Sequence, residues 1–175
     1  MIVFDTETTG LLLHPDAELA KQPKIIEWGG ALLDEYGEVF DTYNTLINPG
    51  EEISAEITKI TGITNDDARD APTFAQAWPN IQSFYARSVK MLSHNLPFDK
   101  GMVENELRRL GVTDFKFPLV EICTVSLYRE SWGRNPKLTE LYEAVVGEKL
   151  AQTHRALDDV MALVKIVQVE RLWEL

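Results

Sequence analysis

The chain has 175 residues, 45% of them hydrophobic, which is enough to enclose one core without a staple, so a single domain spanning 1–175 is expected. A net charge of −11 argues against a broad electrostatic grip on a polyanion, and the lone Cys123 rules out an intramolecular disulfide and leaves no Cys/His cluster for zinc, pointing to a reducing, cytoplasmic setting. No apolar run approaches the length of a membrane span and the N-terminus lacks the order of a signal peptide, so no membrane partner is expected.

In chain order, residues 1–6 read as a strand and 8–23 as a loop punctuated by Gly10, His14-Pro15 and Pro23, with a helical turn at 16–21. The apolar-rich runs 24–34 and 38–48, joined by Glu35-Tyr36-Gly37, read as a β-hairpin that Asn48-Pro49-Gly50 terminates. Ser54 has the position of an N-cap for a short helix ended by Gly62, and a second turn starts near Thr64. Phe74, Ala77, Trp78, Ile81 and Tyr85 recur at helical spacing within 73–86. A short buried strand follows at 88–93, then a helix opened by Pro97 and closed by Gly111, then a last strand at 119–123. Helices around 125–130, 137–146 and 156–173 complete the chain. A strand meander followed by helices alternating with single strands predicts an α/β architecture, a mixed sheet covered by helices.

The chemistry begins at Asp5 and Glu7. Alternate residues of a strand share a face, so the two carboxylates are presented together, and like charges that close want a cation. A hard divalent ion with oxygen ligands is the simplest resident, a solvated strand edge the plain alternative. Asp99 falls in the first turn of its helix, where an aspartate either complements the helix dipole or, given the apolar Met102, Val103 and Leu110 beside Glu106 on its face, points inward as a ligand. In the final helix the apolar arc runs through Ala156, Leu157, Val160, Met161, Leu163, Val164, Ile166 and Val167. Asp159 lies inside this arc and Asp158 outside it. A buried carboxylate needs a partner, for which a metal ion is a natural candidate, whereas Asp158 reads as a surface charge. His154, just before this helix, is either structural or a base beside a metal-bound water.

Asp5-x-Glu7, Asn95-x-x-Phe98-Asp99 and His154-x-Ala156-x-x-Asp159, in that order, resemble the three motifs of the DEDDh exonucleases, the family of the epsilon proofreading subunit and ribonuclease T. Asp5-Thr-Glu-Thr-Thr-Gly10, Ile25-Ile-Glu27, Ile60-Thr-Gly-Ile63 and His94-Asn95 also resemble family segments, so the likeness covers nearly the whole chain. It implies a ribonuclease-H-like fold with a central mixed five-stranded sheet, strands 1 to 3 antiparallel. It further implies that Asp5, Glu7, Asp99 and Asp159 hold two Mg²⁺ or Mn²⁺ ions, that His154 takes the proton from the attacking water, and that nucleoside 5′-monophosphates leave a 3′ end.

The same resemblance assigns the terminal nucleotide to Thr8, Gly10 and Leu11, with Gly62 and Ile63 over the sugar and Asn95 and Phe98 at the pocket floor. Several relatives have a histidine where Thr61 stands. Leu11 and Phe98 have ordinary packing as their plain alternative. Lys21, Lys100, Arg108, Arg129, Arg134, Lys137 and Arg155 are phosphate candidates left unassigned. The loop at 12–23 is longer than in the simplest relatives and reads as a flap or an edge decoration. With no tethering tail of the epsilon type after residue 173, the expectation is a free-standing nuclease, or a small subunit docking on a polymerase or other DNA-processing complex through a folded surface that Trp132 or Trp173 would mark if exposed. The expected substrate is the 3′ end of single-stranded DNA, with RNA 3′ ends as the alternative and a non-catalytic binding or scaffold role as the third reading.

Overall fold

The computed structural model describes residues Met1–Leu175. Five strands form one sheet: β1 (Ile2–Thr8), β2 (Ile25–Leu33), β3 (Val39–Leu46), β4 (Lys90–Ser93) and β5 (Val120–Cys123). Their order is β3-β2-β1-β4-β5. The first three strands are mutually antiparallel, β4 runs parallel to β1, and β5 runs parallel to β4. A tight turn at Gly37 (φ +80°) suffices between β2 and β3, whereas each parallel strand is reached through helices, as a crossover requires. The sheet is the mixed five-stranded one of ribonuclease-H-like folds, with strands 1 to 3 antiparallel.

Seven α-helices accompany it: α1 (Ala55–Thr61), α2 (Asn65–Arg69), α3 (Phe74–Ala86), α4 (Leu96–Arg109), α5 (Thr124–Trp132), α6 (Leu138–Val146) and α7 (Ala156–Glu170). Their ends follow from local chemistry. The Ser54 hydroxyl accepts from the Ile57 N–H, and Thr64 and Thr73 form capping boxes with Asp67 and Gln76. Gly62 closes α1 in the left-handed region, and its N–H donates to Thr58.

Alternation along the strands sorts the core into two faces. Ile2, Phe4, Trp28 and Leu32 pack with α3 and α4, while Val3, Ala31, Leu33 and Leu92 pack with α6 and α7. β2 is buried along its whole length because it is covered on both sides. No helix is long and apolar enough to cross a membrane.

Several expected boundaries move. β1 continues through Glu7 to Thr8, and the turn expected at 16–21 shrinks to a 3₁₀ turn at Leu19–Lys21. The last helix stops at Glu170, because Arg171 turns left-handed (φ 54°) and a separate 3₁₀ turn, Leu172–Glu174, follows. Within α7, Met161 is exposed and Ala162 takes its place in the core, a one-residue rotation of the apolar arc. Leu119 lies outside β5 and is 92% exposed. Trp132 and Trp173 are not free surface: both pack on the α6–α7 core, and the Trp173 ring lies where a Cβ at Gly37 would stand.

Candidate active site

The site forms at the carboxyl end of β1, where that strand parts from β4. Pairing between the two covers only Ile2↔Met91 and Val3↔Leu92. Beyond it, the Thr6 N–H donates to Asp99 Oδ1 (3.1 Å) and the Thr6 hydroxyl to the same oxygen (2.8 Å). The Ser93 hydroxyl, at the end of β4, donates to Asp99 Oδ2. A carboxylate from the first turn of α4 thus fills the gap between two diverging strands, and Asp99 is 3% exposed. Its oxygens are turned to β1 and β4, so complementing the helix dipole does not account for its position.

From the other face, α7 presses its first turn against the sheet. A Cβ on Gly29 would lie 2.7 Å from the Ala156 carbonyl carbon and the Leu157 nitrogen, so only glycine permits this approach. Gly29 pairs with Asp5 in the β1–β2 ladder, and the close packing brings Asp159 to the Asp5–Glu7 face of β1. Asp159 is 5% exposed and accepts from Gln152 Nε2 at 2.6 Å, whereas Asp158 is exposed and accepts from the Thr153 hydroxyl. His154 is exposed and has a left-handed backbone (φ 52°), uncommon for a residue with a Cβ. Ligand atoms of Glu7, His154 and Asp159 all lie within 4.8 Å of one another.

Electrostatics sets this cluster apart. Burial, then the neighbouring Asp99, Glu7, Asp159 and Glu27, hold the Asp5 carboxyl well above its ordinary range. Glu7 is pushed up to about 8 by burial and by Asp159, Glu27 and Asp99, against which only Arg155 pulls. Burial raises Asp99 to about 6 despite the bonds from Ser93 and Thr6, and raises Asp159 despite Gln152 and His154. Four carboxyls that resist ionising together are a hard, all-oxygen donor set lacking positive charge, which suits divalent cations.

Comparison with known proteins places the chain in a family. The family model for the RNase T exonucleases matches residues 2–167. The chain belongs to this exonuclease family. The chain is 32% identical over 167 residues to the PolC-type DNA polymerase III of Clostridium perfringens, covering 95% of this chain, and 32% identical over 176 residues to that of Caldanaerobacter subterraneus, covering 99%. It spans about a tenth of those relatives' length, 11% and 12%. The fold superposes on the nuclease domain of 3′hExo, a DEDDh family member bound to rAMP, with a TM-score of 0.77 at 20% identity, covering 99% of this chain and 91% of that one. It superposes on Exonuclease X in complex with 5′ overhanging duplex DNA with a TM-score of 0.67 at 24% identity, covering 97% and 92%.

The remaining residues that the DEDDh resemblance singles out are distributed unevenly. Thr8 is buried at the end of β1, its hydroxyl donating to the Gly10 carbonyl (2.8 Å), while Leu11 next to them is 79% exposed. Asn95 is exposed, and Phe98 is half-buried against the α3–α4 core. Gly62 is exposed on its turn, but the Ile63 side chain is buried with Ile26, Ile53 and Ala68. The Ile63 N–H donates to Thr61 and its carbonyl accepts from Thr58, so little of it is free for a ligand. The loop at 12–23 is tied at its base: Gln22 bonds the Leu13 backbone and Arg109 donates to three of its carbonyls. Most of the phosphate candidates are engaged within the protein, among them Lys100 with Glu121, Arg134 with Glu140 and Arg155 with Glu27.

Sequence reasoning did not find Thr6 and Ser93 as supports of Asp99, Gln152 as a donor to Asp159, or Glu27 with Arg155 beside the cluster. Only Glu27 carried a signal, a single charge inside an otherwise apolar strand. A cleft of about 740 Å³ between α4, β5 and α5 contains none of the four carboxylates.

Proposed function

We propose that this exonuclease domain cleaves the terminal phosphodiester at the 3′ end of single-stranded DNA, releasing nucleoside 5′-monophosphates with two divalent ions in the acidic site. The observation carrying this reading is the convergence of Asp5, Glu7, Asp99 and Asp159, from one strand and two helices, with proton affinities raised by burial and by one another. The four carboxylates would hold Mg²⁺ or Mn²⁺, a fit that the oxygen-only set supports. When bound, two ions supply Lewis-acid stabilisation of the phosphate charge and bring the attacking water's ionisation near neutrality.

The chain's own residues do the rest. His154 takes the proton from the water; its exposed position on a sharp corner lets the ring approach when the substrate is seated. Thr8 and Gly10 close a small turn that brings the backbone to the terminal nucleotide, and exposed Leu11 wedges against the last base. Asn95 and Phe98 shape the floor, and the exposed Gly62 corner lies over the sugar with buried Ile63 holding it in place. With a net charge of −11, the domain grips a chain end and not a duplex. The polymerase names of the relatives favour DNA and a partner in a polymerase or other DNA-processing complex, in the cytoplasm. The rAMP bound by the 3′hExo nuclease domain keeps RNA 3′ ends as the second reading.

Purified protein given 3′-labelled single-stranded DNA, duplex DNA and RNA, each with Mg²⁺, Mn²⁺ or EDTA, tests both. Metal-dependent release of mononucleotides from single-stranded DNA is expected. Release that survives EDTA would overturn the metal mechanism, and faster release from RNA would favour the second substrate.

A further inference from the structure

Glu27 stands near the start of β2, fully buried at 0% exposure, yet the chemistry above gives it no task. Its two oxygens accept four hydrogen bonds. Oε1 receives Asn44 Nδ2 (3.0 Å) and Arg155 Nη2 (2.6 Å), and Oε2 receives Arg155 Nε (3.0 Å) and the Ala156 N–H (3.0 Å). A paired fork of this kind fixes direction as well as distance.

The donors matter because of where they lie. α7 has no side-chain cap of its own; Arg155 at its start is extended (φ −118°, ψ 129°), and the first helical N–H is satisfied by Glu27 from 129 residues upstream. One residue earlier, His154 turns the chain sharply in the left-handed region. The segment before it is held by Gln152 and Thr153, which bond only to Asp159 and Asp158 of α7 itself. Arg155 is therefore where the His154 corner is fastened to the sheet.

We propose that the Glu27–Arg155 pair is a positioning device for His154, a fixed pivot about which the His154 loop turns so that the imidazole meets the acidic site in one orientation. Neither residue touches the reacting atoms. The inference rests on the assignment of His154 as the base, and its test separates the two.

Arg155→Ala and Arg155→Lys are compared with the parent in kcat, KM and the Mg²⁺ concentration for half-maximal activity, alone and in a His154→Ala background. Arg155→Ala leaves the buried Glu27 carboxylate two donors short, so the fold of each variant is checked by circular dichroism, and Arg155→Lys, which keeps the charge, carries the comparison if the alanine variant does not fold. For Arg155→Ala, kcat should fall about 10- to 100-fold, the range for supports of catalytic groups, with KM and the Mg²⁺ requirement within about threefold. Arg155→Lys should recover only part, since an ammonium cannot span both oxygens. In the His154→Ala background the same change should cost nothing further. Without metal or substrate, NMR of the His154 ring should show ordering that Arg155→Ala abolishes.

An equal loss in both backgrounds, a raised KM with kcat kept, or a ring signal indifferent to Arg155 would overturn the proposal; the second of these would make Arg155 a phosphate contact. If His154→Ala itself leaves turnover intact, the assignment of the base fails, and the NMR comparison still decides whether Arg155 orders the ring.

Discussion

Glu7 and Glu27 face each other across the β1–β2 ladder and have the same side chain, but they are opposite cases. Glu27 is the more deeply buried, and burial alone would raise its pKa, yet the bonds from Arg155, Ala156 and Asn44 outweigh it and hold the carboxyl below its ordinary value. Glu7 is only half-buried but is carried up to about 8 by burial and then Asp159, Glu27 and Asp99. Depth therefore does not separate a structural carboxylate from a functional one. The supply of donors does: β2 and α7 complete the shell of Glu27, whereas the neighbours of Glu7 are more carboxylates. What Glu7 lacks is what a divalent ion supplies.

The largest effects should come from the side without donors. Asp159→Ala is expected to reduce mononucleotide release from labelled single-stranded DNA below detection, because it removes one of the four proposed ligands. Its neighbour Asp158, exposed and bonded only to Thr153, should tolerate alanine within about twofold. Reversed results would mean that α7 presents a different face to β1. Next in size is His154→Ala, with an expected loss of about 10²- to 10⁴-fold in kcat, the usual range for a general base. Mg²⁺ or Mn²⁺ binding by calorimetry should survive that change. Its loss would move His154 into the ligand set with Glu7 and Asp159.

Much of this contrast was legible in the sequence, for reasons of periodicity. Two-residue alternation put Asp5 and Glu7 on one face, and the 3.6-residue period separated Asp159 from Asp158 even though the apolar arc was one residue off at Met161. A mixed sheet covered by helices followed from a strand meander and helices alternating with single strands, but the strand order β3-β2-β1-β4-β5 did not. The supports were not legible. Thr6 meets Asp99 across 93 positions and Arg155 meets Glu27 across 128, and no local pattern records pairings of that reach. Gly29, whose missing Cβ seats α7, was likewise one small residue in an apolar run until the helix was packed on it.

Titration sharpens the comparison with a smaller effect. Glu7 has a folded-state pKa raised from 4.5 to about 8, so the stability tied to its proton is present below the unfolded value and drains away as pH rises toward 8; Asp99, raised from 3.8 to about 6, acts in the same direction. Glu27 has the opposite sign: lowered from 4.5, it contributes stability above that value and loses it as pH falls through the folded-state value. Metal-free protein should therefore be most stable in mildly acid solution and lose Tm on both sides. Mg²⁺ should raise Tm at pH 8 far more than at pH 5. A metal-induced rise of the same size at both pH values would show that the ions do not bind at these carboxyls.

The smallest effect tests the pair itself. In metal-free protein at pH 8, Glu7→Gln removes a charge that its neighbours oppose, so stability in urea should stay level or rise. Glu27→Gln exchanges an acceptor with four donors for an amide whose NH₂ must face one of them. It should cost about 1–3 kcal/mol, the penalty for a buried polar group left badly paired. The difference should shrink at low pH, where a carboxyl at position 27 is itself protonated and no longer outperforms the amide. Equal costs for the two changes at pH 8 would remove the distinction between them, and with it the case that the acidic end of β1 is built for ions.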